Sequence, residues 1–298
     1  MSRPPDPPGL ATYAANVYSQ YGEDGILERI LELIDDGNRW CVEFGAWDGL
    51  HLSNCANLIR NHGYAGVFIE ADEARFAQLE ANYENIPNAT TLRAFVGFGP
   101  GDNLDTLLAD VDVPGDPDVL SIDIDGNDYH TWAAIHRLRP KIVCIEFNPT
   151  VPNDVEYVQP ADASVQRGSG VRSLMKLGKE KGYELACCTE ANAFFVDERL
   201  FPRLGIADNS LDALRDDRRW VTYLFSGFDG RVMLAGCSQL RWHGLPYQSR
   251  KVQQLPRFLI GYPGDYSPLQ RLAFRAYRQW RRFRSDRKGG KGASLEEQ

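Results

Sequence analysis

From Asp24 onward, apolar residues return at helical spacing (Ile26, Leu27, Ile30, Leu31, Ile34) until Gly37 closes the run. Trp40-Cys41-Val42-Glu43-Phe44 follows, a short apolar stretch that ends in a glycine turn. The alternation then repeats. Ser53 to Asn61 is predicted helical with Gly63 as its stop, Gly66 to Ile69 is a strand ending at Glu70, and 72–85 is a helix. Further strands are predicted over Thr90 to Val96, Val119 to Ile124 and Lys141 to Phe147. Strands apolar on both faces that alternate with helices imply βαβ units and a buried parallel sheet. Beyond a loop at 148–169 and a helix near 171–181, Tyr183 to Val196 reads as two strand-like halves. Their separation is too short for a crossover, so they are expected to pair as an antiparallel hairpin.

Residues 198–219 are polar and read as a linker. A second hairpin is expected where 221–225 and 231–235 flank Gly227-Phe228-Asp229-Gly230. Near the end Leu269, Leu272, Ala273, Ala276, Trp280 and Phe283 share one helical face, and Arg271, Arg275, Arg278 and Arg282 share another. The fold class is therefore α/β: a Rossmann-like, mostly parallel sheet with a C-terminal antiparallel hairpin, plus a small C-terminal α+β extension. The expected divisions are a proline-rich disordered tail at 1–17, a main domain at 18–198 and an extension at 199–298.

Composition narrows the classes. The chain has 298 residues, 43% hydrophobic and 25% charged, with mean hydropathy −0.40, ordinary values for a globular protein. No apolar run approaches the ~20 residues of a membrane span, and the N-terminal residues lack the apolar stretch of a signal peptide. A cytoplasmic protein is expected, with its six cysteines as reduced core thiols because their spacing matches no zinc site. Net charge is −8, yet residues 271–298 alone carry nine Lys/Arg against three acids. An acidic body argues against nucleic acid as a partner. The basic helix within 266–288 suits an anionic membrane surface or an acidic partner, or packs back on the acidic body of its own chain or of a homodimer mate.

The candidate chemistry sits at strand ends. Glu43-Phe44-Gly45-Ala46-Trp47-Asp48-Gly49 lets backbone approach a ligand at the sheet's C-terminal edge. A pyrophosphate-binding GxGxxG would need a glycine where Trp47 stands. Glu43 and Asp48 bring negative charge instead, which suits a cation such as a sulfonium bearing an α-ammonium group. Glu70, followed by Ala71-Asp72, lies where an acid accepts the hydroxyls of a ribose, and Asp72 doubles as a helix cap. Ile122-Asp123-Ile124-Asp125-Gly126-Asn127-Asp128-Tyr129-His130 and Glu146-Phe147-Asn148 converge further polar groups on the same edge. Asp125 or Asn127 also reads as an N-cap of the following helix, and Asp123-Ile124-Asp125 as a DxD-like metal clamp of a nucleotide-sugar enzyme.

Ser19-Gln20-Tyr21-Gly22-Glu23-Asp24, Val42-Glu43-Phe44-Gly45-Ala46, Ile69-Glu70-Ala71 and Ile122-Asp123-Ile124-Asp125-Gly126 together resemble the FkbM-like branch of class I S-adenosylmethionine-dependent methyltransferases over roughly 18–197. The resemblance implies O-methylation of a hydroxyl on a sugar, glycan or natural-product small molecule. It implies that Glu43, Gly45 and Asp48 border the methionine end of S-adenosylmethionine, that Glu70 holds the ribose and that Val96 flanks adenine. Gln20, Ala46, Ala71 and Asp123 complete the expected cofactor-binding set. The family more often has a lysine before the aspartate and a glutamate before the glycine of the fourth-strand motif.

Removal of a hydroxyl proton needs a base, for which Asp125, Asp128 and His130 are the candidates. The alternative is Mg²⁺ or Ca²⁺ held by Asp125, Glu146 and Asn148, lowering the hydroxyl's pKa. His51 and His243 are lesser candidates. A catalytically silent methyltransferase-like scaffold is the competing reading from outside enzymology.

Overall fold

The computed structural model describes residues 9–287, which divide into two compact units, 9–216 and 217–287. In the first unit the strands are β1 (Trp40–Phe44), β2 (Ala65–Glu70), β3 (Ala89–Arg93), β4 (Val119–Ile122), β5 (Ile142–Glu146), β6 (Tyr183–Cys188) and β7 (Asn192–Asp197). They form one sheet in the order β3-β2-β1-β4-β5-β7-β6, parallel except for β7, which runs against both neighbours. This is the Rossmann-like sheet with a C-terminal antiparallel hairpin that the sequence predicts. The short turn Thr189-Glu190-Ala191 cannot cross the sheet, so β7 must return beside β6.

Six helices cover the two faces. On one, α1 (Glu23–Ile34), α2 (Ala56–His62) and α3 (Glu73–Tyr83) bury Ile26, Leu27, Ile30, Leu58, Ile59 and Leu79 against Cys41, Phe68, Cys144 and Phe194. On the other, α4 (Leu104–Leu107), α5 (Asp128–Ala133) and α6 (Val171–Glu180) set Leu104, Trp132 and Leu174 against Val42, Ile122, Val143 and Phe195. Successive strand residues supply the two cores alternately, as the pleat requires. The six cysteines are unpaired and buried. No helix among the described residues is long and apolar enough to cross a membrane.

Two expected boundaries move. Residues 1–8 of the predicted tail lie outside the described residues, but Leu10–Tyr13 form a 3-10 turn and Leu10 is buried in the α1-side core. The predicted linker also has structure: Leu204 ends a 3-10 turn (Phe201–Leu204), Leu211 opens α7 (Leu211–Leu214), and each side chain enters one of the two cores. A sparse apolar residue in a polar run gives no periodic signal, so only the packed structure shows it as an anchor. The first unit therefore runs to 216.

The second unit holds the expected hairpin, β8 (Thr222–Ser226) and β9 (Val232–Gly236), turning at 227–230. It adds a two-residue pair, β10 (Gln239–Leu240) and β11 (Leu245–Pro246), with α8 (Ser249–Val252) and the long α9 (Pro268–Arg287).

Leu204→Ala is expected to lower the unfolding free energy of the first unit by ~2–4 kcal/mol through lost burial and a residual cavity. Urea titration checks it, and a change near zero would restore 199–216 to the status of a linker.

Candidate functional site

The parallel strands end on one edge, and four loops leave it: 45–55 after β1, 71–72 after β2, 94–103 after β3 and 123–127 after β4. Their meeting point is Gly45. Its amide and that of Ala46 both donate to the Ile69 carbonyl at 3.1 Å, tying the bend to the end of β2. Gly45 has φ +76°, and a Cβ there would lie 1.6 Å from the Asp123 carbonyl oxygen. Only glycine fits so close to β4. Gly45 is exposed, in contrast to buried Phe44 before it, so the bend presents bare backbone to solvent. Trp47 also takes a positive φ, +52°, a strained choice for a bulky residue. It is 40% exposed, with the Arg75 guanidinium 3.7 Å above its ring and His51 at 5.5 Å on its edge.

The acids divide into two groups by what they accept. The first group holds loops through backbone amides. Glu43, 4% exposed, accepts from Ser53 Oγ at 2.5 Å, the Asn54 amide at 2.9 Å and the Cys55 amide at 3.2 Å. Glu70 accepts the amides of Trp47 and Asp72, each at 2.8 Å, on different oxygens. Asp48 accepts the Leu50 and His51 amides at 2.9 and 2.7 Å. Asp128 accepts those of Ile124 and Gly126, both at 2.9 Å. Asp24, in the motif before α1, gathers the amides of Val17, Tyr18 and Ser19 on Oδ2 at 2.7–2.8 Å.

The second group face one another. Asp123, Asp125 and Glu146 each place an oxygen within 4.8 Å of the other two. Burial, followed by repulsion from Asp128 and Asp125, raises Asp123 well above the usual carboxylate range. Glu146 is raised by burial, followed by repulsion from Asp123. Register explains the grouping. Ile122 pairs with Phe44 and Ile145, so the next residues, Gly45, Asp123 and Glu146, continue one row, with Asn192 opposite Glu146 on β7. Asn192 Oδ1 and Asp24 Oδ1 are buried without a partner among the described residues.

The structure redistributes several expected roles. Asn148 holds its own loop: its Oδ1 accepts from the Thr150 amide and hydroxyl, and its Nδ2 donates to the Arg167 carbonyl at 2.6 Å. Asp123 stands with Asp125 and Glu146. Neither Asp125 nor Asn127 caps α5 with its side chain. Asp128 is 2% exposed and engaged with the loop, whereas Asp125 is exposed on a backbone with φ +56°. His130 Nε2 lies 2.8 Å from the Gln159 carbonyl oxygen, so that nitrogen carries the proton and donates.

Gln159, which the sequence did not single out, organises the 148–169 loop. It donates to Asn127 Oδ1 and the Val165 carbonyl and accepts the Arg167 and Gly168 amides, all at 2.8–2.9 Å. Gln20 and Ala71 are exposed, Ala46 is buried in the bend, and Val96 is buried just beyond β3. His243 belongs to the second unit, exposed in the 3-10 turn Arg241–His243. Two cavities lie elsewhere: ~580 Å³ beside α1, lined by Tyr13, Arg29 and His62, and ~280 Å³ lined by Trp132, Lys181 and Tyr183.

No protein-family model matches the chain, and no curated protein matches it. Among solved structures it is similar to the N-terminal domain of EvdMO1 with SAH bound, at 14% identity over 58% of this chain and 79% of that one, TM-score 0.38. It is similar to a precorrin-6y C5,15-methyltransferase from Geobacter metallireducens at 16% identity over 61% and 90%, TM-score 0.36. A SAM dependent methyltransferase from Aquifex aeolicus shares 8% identity over 57% and 87%, TM-score 0.35.

Burial outweighs the two amide bonds to Asp128 and pushes its carboxyl up to about 6; burial also raises Glu43. A carboxyl with a raised folded pKa binds its proton more tightly when folded. Its contribution to stability is therefore full in acid and is lost as pH rises through the folded value. The urea midpoint of the ligand-free protein should fall between about pH 5 and pH 7. Asp125→Asn, which removes the carboxylate that repels Asp128, should flatten that fall; an equally steep fall in the variant would contradict the geometry of the group.

Proposed function

We propose that the chain is an S-adenosylmethionine-dependent methyltransferase of the FkbM-like kind that methylates a hydroxyl of a sugar or natural-product small molecule in the cytoplasm. The observation that carries this reading is the exposed Gly45 bend, set against β4 and bordered by Glu70 on one side and Asp123, Asp125 and Glu146 on the other. A row of mutually facing carboxylates repels a diphosphate and attracts a cation, which separates this crevice from a dinucleotide or nucleotide-sugar site. Orphaned oxygens on Asp24 and Asn192 add to the acceptor character of that end of the sheet. Six unpaired buried thiols accord with a reducing compartment.

When bound, S-adenosylmethionine supplies an electrophilic methyl group on a sulfonium. Gly45 and Ala46 would border its methionine end, and the Asp123 side of the row would face its positive charge. Glu70 already accepts two amides, but a carboxylate has further lone pairs, which would take the ribose hydroxyls. Val96 forms the apolar floor beyond β3. Glu43, Asp48 and Asp128 act on the ligand indirectly, by holding the loops that line the groove. Asp125, the exposed acid of the row, is placed to take the proton from an acceptor hydroxyl at a carboxylate oxygen. His130 fixes the 148–169 loop through Gln159. The hard oxygens of Asp123, Asp125 and Glu146 also suit Mg²⁺ or Ca²⁺.

Calorimetry decides the first point. Saturable binding of S-adenosylhomocysteine is expected, weakened roughly 10- to 100-fold in Glu70→Gln, the loss of a charged hydrogen-bond acceptor. Binding of UDP-glucose or NAD in its place would overturn the assignment. For the second point, Asp125→Ala is expected to lose about 100-fold or more in turnover on a hydroxyl acceptor. If Mg²⁺ or Ca²⁺ raises the melting temperature of the native protein and not of Glu146→Gln, the three acids hold a cation.

A further inference from the structure

The cavity of ~580 Å³ beside α1 belongs to a different part of the first unit from the strand-end site. Arg39 and Tyr64 line it and immediately precede β1 and β2, which puts it at the edge where the strands begin, opposite the Gly45 bend. Its volume is that of a small-molecule site. Its wall is mixed, with Tyr13, Tyr64, Leu31 and Leu58 beside Arg29 and Arg39. The acids of the wall are engaged within it. Glu28 Oε1 accepts from Asn57 Nδ2 at 2.6 Å and lies 3.1 Å from His62 Nε2, and Glu32 pairs with Arg29 Nη1. The donors are not all engaged. Arg29 Nε is buried without a hydrogen-bond partner, although the guanidinium lies 4.9 Å from the centre of the Tyr13 ring. A buried donor left unpaired carries a cost that a ligand oxygen would relieve. The Arg39 guanidinium makes no hydrogen bond or ion pair among the described residues, and its backbone is held at φ +59°. Three bonds hold it there: the Asn38 and Arg39 amides donate to the two oxygens of Asp118 at 2.9 and 2.8 Å, and the Arg39 carbonyl accepts the Ala65 amide at 2.8 Å. Left-handed backbone so over-determined, carrying an unpaired arginine into a cavity wall, is how ligand clamps are built.

We propose that this cavity binds a small planar aromatic anion, separately from the strand-end groove. Its charged head, a carboxylate or a phosphate, would take the donors of Arg29 and Arg39, whose planar forks match either group. Its ring would lie against the two tyrosines and the two leucines. The chemistry of the wall chooses this occupant. A metal cation would meet two arginines and two acids that already have partners. A neutral apolar ligand would leave Arg29 Nε unpaired, and an anion without a ring would leave the apolar part of the wall wet.

The test is a ligand-observed NMR titration of the full-length protein with 2-naphthoate and 2-naphthyl phosphate. Neutral 2-naphthalenemethanol, acetate and inorganic phosphate serve as the probes that lack the charge or the ring. Saturable binding of at least one naphthyl anion is expected, and the one that binds identifies the head group. The three incomplete probes should bind about tenfold or more weakly. Arg39→Gln should weaken the anion roughly 10-fold, the loss of a charged hydrogen bond. Because the Arg39 side chain is exposed and unpaired, this variant should melt with the native protein. Arg39→Lys, which keeps the charge but not the fork, should recover part of the affinity and so separates a lost contact from a lost fold. Excess S-adenosylhomocysteine should leave the anion bound. Failure of both naphthyl anions to saturate, equal binding of the neutral probe, binding indifferent to Arg39→Gln, or displacement by S-adenosylhomocysteine would each overturn the proposal.

Discussion

The strand-end edge depends on backbone amides that answer carboxylates held out of water. A buried carboxylate without donors is costly, and an unanswered loop amide is costly for the same reason. Glu43, Glu70, Asp128 and Asp24 settle both debts together, each binding two or more N–H groups of a loop that would otherwise hang free at the end of the sheet. The loops that line the groove are thereby fixed by charge-assisted bonds, the stronger class of hydrogen bond. Ala46, Cys55 and Val96 add buried apolar anchors to the same loops.

Once those acids are engaged in holding the walls, Asp123, Asp125 and Glu146 are left to face each other across the groove. Burial, and after it their mutual repulsion, is a standing cost in the ligand-free protein, seen in the raised carboxyls of Asp123 and Glu146. A bound cation, or a proton shared among them, relieves it. Strain tells the same story at Trp47 and Asp125, non-glycine residues that hold positive φ angles beside the Gly45 bend and after β4. Such backbone persists where surroundings over-determine it, and it clusters where ligands are handled.

The second unit follows a different logic. Its acidic partner region, 1–216, has enough apolar surface to close two cores around one sheet, whereas α9 keeps large apolar side chains exposed beside a row of arginines. Periodicity in the sequence identified both faces of that helix. It did not reveal that the packed side is a third one, centred on Phe274 and Tyr277, because aromatic residues among arginines do not stand out until Tyr266 and Gln254 are seen beneath them.

Element types and order were legible because hydrophobic period is a local property. The strands from β1 to β5, the helices α1, α2 and α3 and the two hairpins appear where the pattern of apolar residues places them, with ends shifted by a few residues, while α4 (Leu104–Leu107) was not predicted. The glycine bend and the identity of the acids at the strand ends were legible for the same reason. What each acid does was not. Glu43, Asp48, Glu70 and Asp128 look in sequence like ligands for something bound, and only the folded loops show which amides they hold. Asp123 joins Asp125 and Glu146 because strand register carries β4 and β5 to one edge, and the 149–168 loop engages the Asn148 amide. Gln159, Leu10 and Leu204 matter through partners far along the chain. Such contacts are made by tertiary structure alone, since no local pattern encodes a neighbour that the sheet brings in from a distance.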